Sequence, residues 1–339
     1  MKKLFPLIFL LLLLLSGYWY SFQLDYTQPA VSFGVTFSAP YAEHLGLDWR
    51  QAYTAVLDEL KVSHIRLAAY WNQTEPEQGV YDFSDLDWQI AEAQKRNVAV
   101  VLAVGRRLPR WPECHDPAWL SQLSTEQQQA ALLNYLQRVV GRYLENPAIV
   151  RWQVENEPLL RWFGQCPPPD ANLLSRELQT VRSLDDREIL VTDSGELGPW
   201  VRAGKHADVL GTTLYRIVWN SQLGFWEYSF LPAAFYQWKS AIVRHFRPNL
   251  KTIIVSELQM EPWSTGGPLT SMTLEEQRRS FDLQRFWENI LYAKRAGFSE
   301  LYLWGVEYWY WLDQQGNPEL WQAGKRLWST GQVPATVGQ

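Results

Sequence analysis

The chain has 339 residues, a formal net charge of −5, 47% hydrophobic content, two cysteines and five histidines. Such a length carries a sizeable core, and the acidic balance points to neither nucleic acid nor an anionic surface as a partner. With no H-x-H, H-E-x-x-H or C-x-x-C spacing, a metal site is disfavoured, and no cofactor is expected.

Lys2 and Lys3 open an apolar run over residues 4–15, broken only by Pro6 and followed by Ser16, Gly17, Tyr18, Trp19, Tyr20 and Phe22. The run has the form of a signal-peptide core, but no small-residue cleavage site follows it. With the aromatic cluster counted, it approaches the length of a bilayer span with Trp19 and Tyr20 at the interface. Residues 1–23 are therefore expected to be an uncleaved membrane anchor, with a cleaved signal as the alternative. The lysines keep the start in the cytoplasm in either case, so the rest of the chain faces outward.

Beyond residue 30, strand-like runs alternate with amphipathic helical ones. Candidate strands cover 31–37, 64–69, 98–104, 149–154, 189–192, 209–214, 253–256 and 301–304. Eight such runs predict one (β/α)8 barrel, a TIM barrel, over residues 31–330. Between the first two, Trp49, Tyr53, Val56, Leu57 and Leu60 recur at helical spacing. Ser84-Asp85-Leu86-Asp87 reads as a capping box opening the second helix, and Thr273-Leu274-Glu275-Glu276 as another, opening a long helix that stops at Gly297. The connection between the fifth and sixth strands leaves room for a small helix only. The long, aromatic-rich segments 70–83, 105–123, 159–172, 216–230, 259–272 and 307–320 all follow strands, as the loops of a barrel's catalytic face do. Cys114 and Cys166 fall in two of them, after the third and fourth strands. They are expected to pair as a disulfide, or else to remain two free thiols.

The fourth strand ends in Glu155-Asn156-Glu157-Pro158 and the seventh in Ser256-Glu257. Two carboxylates delivered to the mouth of a barrel are what glycoside hydrolysis needs, one as acid/base and one as nucleophile. Glu157 is the expected acid, raised in pKa by burial and by its partner's charge. Asn156 is expected to hydrogen-bond a sugar 2-hydroxyl. Glu257 must stay ionised, and Arg66 and Tyr215 are placed to supply a cation and a phenolic hydrogen bond. Glu155 and Glu196 are the competing carboxylates; Glu155 lies deeper, behind the catalytic layer. Nineteen Trp, with 16 Tyr and 14 Phe, suit either a cleft that stacks on sugar rings or a Trp-filled core.

Arg66, Trp71 with Glu75-Pro76-Glu77-Gln78-Gly79-Val80-Tyr81-Asp82-Phe83, Asn156-Glu157-Pro158, Tyr215, Ser256-Glu257 and Trp304-Gly305 form an ordered set. In this order they resemble the glycoside hydrolases of clan A, retaining (β/α)8 enzymes that include cellulase-like, mannanase-like and β-galactosidase-like families. The resemblance spans about residues 31–326. It implies Glu157 as acid/base, Glu257 as nucleophile, Arg66, Trp71, Asn156 and Tyr215 around the substrate, and Trp304 as a platform under the sugar. Two features depart from many cellulase-like members. Gly105-Arg106-Arg107-Leu108-Pro109-Arg110-Trp111 stands where a His often follows the third strand, and Thr213-Leu214-Tyr215 where a His-x-Tyr often follows the sixth. Arg106, Arg107, Trp111 and the run Glu307-Tyr308-Trp309-Tyr310-Trp311 are candidate subsite residues, or else loops packing on their own aromatics.

The expectation is a monomeric, outward-facing retaining glycosidase acting on an oligo- or polysaccharide. The same intermediate would also serve a transglycosylase, and the same barrel a non-catalytic carbohydrate binder.

Overall fold

The computed structural model describes residues 4–331 and 333. Among the described residues ten strands form: β1 (Ser32–Thr36), β2 (His64–Ala68), β3 (Ala99–Val104), β4 (Ile149–Val154), β5 (Glu188–Asp193), β6 (Val209–Leu214), β7 (Ile217–Asn220), β8 (Gly224–Glu227), β9 (Thr252–Gln259) and β10 (Glu300–Trp304). Eight close into a parallel barrel in the order β1-β10-β9-β6-β5-β4-β3-β2, while β7 and β8 pair as an antiparallel hairpin. The expected (β/α)8 barrel is present, each of its strands overlapping a predicted run. The hairpin lies within the long segment expected after the sixth strand.

Burial on both faces explains why the barrel strands read as continuous apolar runs rather than alternating ones. Outward-facing residues join the principal core beneath the helices, whereas Val101, Leu190, Val209, Ile254 and Tyr302 form a smaller cluster of their own. Gly34 makes room for the Tyr302 ring, whose nearest carbon would lie 2.8 Å from an added Cβ. Polar residues also enter the barrel, and Arg151 bridges Glu188 and Glu300 across it.

The helical face running from Trp49 to Leu60 is buried as its spacing predicts, although the last turn, Val56–Leu60, widens to a π-helix. The helix between β5 and β6 is a single short piece, Val201–Gly204. Two local expectations need correction. Ser84 does not cap its helix; instead its backbone N–H is held by the Asp82 carboxylate at 2.9 Å. The Thr273 capping box forms, but it opens a five-residue helix, and Asp282 caps a separate helix, Leu283–Arg295. A second N-cap within reach of the backbone lets the chain restart at a new angle.

At the other end, Leu4–Ser21 is a helix of 18 residues. Its last turn is tied to the barrel: the Tyr18 hydroxyl donates to the Phe230 carbonyl at 2.7 Å, and Arg295 donates to the carbonyl of Phe22 at 2.6 Å. A helix of this length rises about 27 Å, against a bilayer hydrocarbon core of about 30 Å. Among the described residues no helix is long and apolar enough to cross a membrane. Lys2 and Lys3 lie outside the described residues.

Candidate active site

The mouth of the barrel is organised by one buried cation. Arg66, fully buried on β2, spends its guanidinium on five neighbours, the most distant of them Thr36 Oγ1 at 3.5 Å. Its Nε donates to Gln153 Oε1 at 2.7 Å, one Nη to Glu257 Oε1 at 2.9 Å and to the Ser256 carbonyl at 3.2 Å, and the other to Asn156 Oδ1 at 2.8 Å. A planar fork of five donors suits such a hub, tying β2 to β4 and β9. Tyr215 completes the surroundings of Glu257, donating its hydroxyl to Oε2 at 3.2 Å. The expected cation and phenol are therefore both in contact with Glu257.

Glu157 has a different environment. It is buried, and among the described residues no cation forms an ion pair with it. Its backbone N–H is held by Thr192 Oγ1 at 2.8 Å. Burial pushes its pKa well above the usual carboxylate range; the charges of Glu257 and then Glu113 add to this, and Arg107 opposes it. One glutamate thus sits against a cation and a phenol while the other is held protonated, the division of labour that paired carboxyl chemistry requires.

Backbone strain concentrates here. Of seven described non-glycine residues with left-handed φ, four are Arg110 (84°), Glu113 (73°), Glu155 (60°) and Glu157 (45°). Left-handed φ is unfavourable for residues that carry a Cβ, and such residues collect at functional sites.

Glu155 plays the deeper role expected of it. Its two carboxylate oxygens accept the backbone N–H groups of Arg106 and Arg107, each at 2.7 Å, fixing the loop after β3. Burial raises its pKa and that of Glu177, also buried. Gly105, at φ 137°, has no room for a side chain, because a Cβ would collide with the Glu155 carboxylate. Glu196 also serves the scaffold, accepting from Tyr215 N–H at 2.9 Å and the Tyr236 hydroxyl at 2.7 Å. Where a His-x-Tyr would place its imidazole, Thr213 Oγ1 instead accepts the Gly195 N–H at 2.9 Å.

Several candidate substrate contacts are placed elsewhere. Trp71 has no exposed surface; it stacks on Tyr135 and donates its indole N–H to Glu75 at 2.7 Å. It packs the barrel wall and offers a ligand no face. Glu307 is likewise fully buried, pairing with Arg110 at 2.9 Å and accepting the Ser38 N–H, and Tyr308 and Trp309 are core. These residues of the run pack inward, whereas Trp311 is only half-buried. Arg106 pairs with Asp116, and Arg107 holds the carbonyls of Leu160 and Phe163 at 2.9 and 2.8 Å. Trp304 donates its indole N–H to Glu261 at 2.7 Å and carries Arg110 on one ring face at 4.1 Å, which leaves a sugar only the opposite face. Trp111, 61% exposed, is the member of the candidate set most open to solvent.

Trp111 leads into a row of rings absent from the sequence reading. Phe163 lies 6.0 Å from it, Trp263 6.3 Å from Phe163, and Tyr215 5.5 Å from Trp263. Four separate loops contribute, so no local spacing announces the row. Gln153 was also missed, although Arg151, Gln153 and Glu155 alternate along β4 as inward polar residues would. Glu113, Arg110 and Glu261 lie on loops with no periodicity to reveal them.

The disulfide forms between Cys114 and Cys166, 52 positions apart in the chain. Replacing both with Ser is expected to lower stability by about 2–4 kcal/mol, measured by denaturant unfolding.

A parallel (β/α)8 barrel with two glutamates in unlike surroundings at the C-terminal ends of β4 and β9 defines a glycosidase-type site. Comparison with known proteins leads to the same class. A family model described as β-galactosidase, glycoside hydrolase family 42, matches residues 41–131. That stretch holds Arg66 and the 70–83 segment and ends before either glutamate. The β-galactosidase BgaA of Clostridium cellulovorans is 25% identical over 187 residues, 47% of this chain; the chain spans about a quarter (27%) of that relative's length. Among solved structures, a family 5 protein, GH5_18 from Streptomyces cattleya in complex with GlcNAc, superposes with a TM-score of 0.56 and 13% identity, covering 90% of this chain and 82% of the other. The cold-adapted β-galactosidase from Rahnella sp. R3 gives 0.58 and 12%, covering 90% and 56%. The resemblance to clan A (β/α)8 glycosidases is borne out.

Proposed function

We propose that this chain is a retaining β-glycosidase acting as a monomer outside the cytoplasm, with β-galactosides the first substrates to test. The observation that carries this reading is the asymmetry of the two glutamates. Glu257 lies 2.9 Å from the Arg66 guanidinium and accepts the Tyr215 hydroxyl, while Glu157 is kept protonated by burial and by the charge of Glu257. In the reaction, Glu257 attacks the anomeric carbon as Glu157 gives its proton to the departing oxygen. This yields a glycosyl-enzyme ester and a free alcohol. Water then adds at the same carbon, giving a proton to Glu157 and freeing Glu257, so the anomeric configuration is retained. This route calls for carboxyl groups roughly 5–5.5 Å apart.

Support for an oxidising, extracytoplasmic setting comes from the Cys114–Cys166 bond, since such bonds persist outside the reducing cytosol. The basic start and apolar helix Leu4–Ser21 fit export and membrane tethering. The row from Trp111 to Tyr215 favours one second reading. A row of edge-on and tilted aromatics leading to the nucleophile suits a sugar acceptor in place of water, which would make the protein a transglycosylase.

The test uses 2-deoxy-2-fluoro glycosides, β-galactoside first, followed by intact mass and peptide mapping. A sugar adduct on Glu257 is expected; an adduct on another residue sinks the assignment. If no adduct forms and aryl glycosides also stay intact, the protein is a carbohydrate-binding barrel. Products formed with added acceptor separate hydrolysis from transfer. Glu157→Ala is expected to lose about 10²–10⁴-fold on glycosides with poor leaving groups. Dinitrophenyl glycosides need no proton in the first step and should still form the adduct rapidly.

A further inference from the structure

The outer face of one barrel helix departs from its neighbours. Ala234–Phe246 turns Ala234, Tyr236, Ser240 and Val243 into the core. On the opposite side Trp238, Ile242 and Phe246 recur every four residues and are 46, 52 and 62% exposed. The outer helix Thr125–Tyr143 shows solvent Gln127, Asn134 and Arg138, and Ala171–Arg182 shows it Arg176 and Gln179. A polar outer face is the rule for a surface helix, and an exposed apolar stripe marks an interaction surface.

Local charge points to what covers the stripe. Although the whole chain is acidic, residues 228–256 hold Lys239, Arg244, Arg247 and Lys251 and no Asp or Glu. Lys239 turns inward onto the carbonyls of Ser194 and Gly195, and Lys251 pairs with Glu188. Arg244 gives one N–H to the Leu250 carbonyl at 3.1 Å. Among the described residues neither Arg244 nor Arg247 forms an ion pair. Apolar side chains beside unpaired arginines, with no carboxylate in the segment, complement an anionic lipid surface. The rings enter the acyl boundary while the cations stay among the headgroups.

The stripe also adjoins the apolar helix Leu4–Ser21, whose Phe9, Leu11, Leu14, Trp19 and Tyr20 are exposed. The Tyr18 hydroxyl is held by the carbonyl of Phe230, an exposed residue shortly before Ala234. Gln237 donates its side-chain N–H to the Ala296 carbonyl, and the Tyr26 N–H donates to that of Arg295 at 3.0 Å. The chain leaving the N-terminal helix therefore runs past Gln237, next to Trp238.

We propose that Ala234–Phe246 is a second membrane contact, seating the barrel on an anionic bilayer with its mouth pointing away. The inference rests on the reading that this chain is tethered to a membrane. Its direction follows from the strands. Phe246 leads into the start of β9 and Ala296 into the start of β10, whereas Glu157 and Glu257 stand at the opposite end of the barrel. Docked in this way, the site takes glycans from the surrounding medium and not the sugar of a lipid in its own membrane.

The test reconstitutes the full-length chain in vesicles of phosphatidylcholine and phosphatidylglycerol that include a lipid with a photoactivated carbene precursor in its acyl chain. Labelled peptides are then mapped by mass spectrometry. Label is expected on the N-terminal helix and on residues 234–246. Label on the N-terminal helix alone overturns the docking and leaves the tether standing. Label on 234–246 alone upholds the docking and removes the tether, and label on neither removes both. In the variant Trp238→Ser/Ile242→Ser/Phe246→Ser the yield over 234–246 should fall about tenfold. Arg244→Glu/Arg247→Glu should cause a similar loss in vesicles containing phosphatidylglycerol and little in phosphatidylcholine alone. An unchanged yield in either folded variant overturns the proposal, and the wild-type map decides the matter if a variant misfolds. A detergent-solubilised dimer cross-linked through this helix, with no lipid label on it, gives the face to a second copy and also overturns it.

Discussion

Glu257→Ala is expected to abolish turnover, lowering kcat by about 10⁴–10⁶-fold, the scale of loss when a covalent nucleophile is deleted. The reason is local. Glu257 is the carboxylate that Arg66 holds at 2.9 Å and to which Tyr215 donates, so no other acid can take over the attack. Glu155 is occupied by two backbone N–H groups, and Glu113 and Glu157 are held protonated by burial and by the charge of Glu257 itself. Removing Glu257 also removes a charge that raises Glu157, so the acid/base pKa should fall in the same variant. Added azide should enter the vacated space and give the glycosyl azide of inverted configuration. Activity within tenfold of wild type would mean that the nucleophile lies elsewhere; the check is kcat on an aryl glycoside, with product configuration read by NMR.

Arg66→Met should have the largest effect on the fold. Its guanidinium is fully buried and supports Gln153, Asn156 and Glu257 together. Removing one partner of a buried pair leaves the other charge desolvated and unpaired, a cost of about 3–5 kcal/mol. Arg66→Lys should rescue little, because one ammonium cannot reach three acceptors in the geometry of a planar fork. Combining Arg66→Met with Glu257→Gln should restore much of the stability, since the orphaned charge is gone, and none of the activity. Denaturant unfolding of the two single variants and the double variant measures that coupling. Additive losses would show that the pair is not the source of the destabilisation.

The barrel was legible because strands buried on both faces must be apolar throughout, and eight such runs separated by helical periodicity admit few other arrangements. The same logic brought Glu157, Glu257, Arg66, Asn156 and Tyr215 to one end, since each sits at or near the end of a strand. Trp71 and the run from Glu307 to Trp311 show where that logic stops. An aromatic just past a strand can turn into the mouth or back under the helices, and periodicity does not distinguish the two. Trp71 turned back, against Tyr135.

What the sequence determined by itself was the alternation of elements and hence the barrel, the catalytic end of that barrel, and the pair of glutamates delivered to it. These are properties of strands, whose side-chain directions follow from local geometry. The tertiary structure alone decided the rest. It brought Glu113 against Asn156, set Arg110 on the Trp304 ring, and lined up Trp111, Phe163 and Trp263 from three loops. Loop residues have no repeat to fix their direction. Their positions come from contacts between segments far apart in the chain, here secured by the Cys114–Cys166 bond and the carbonyl contacts of Arg107.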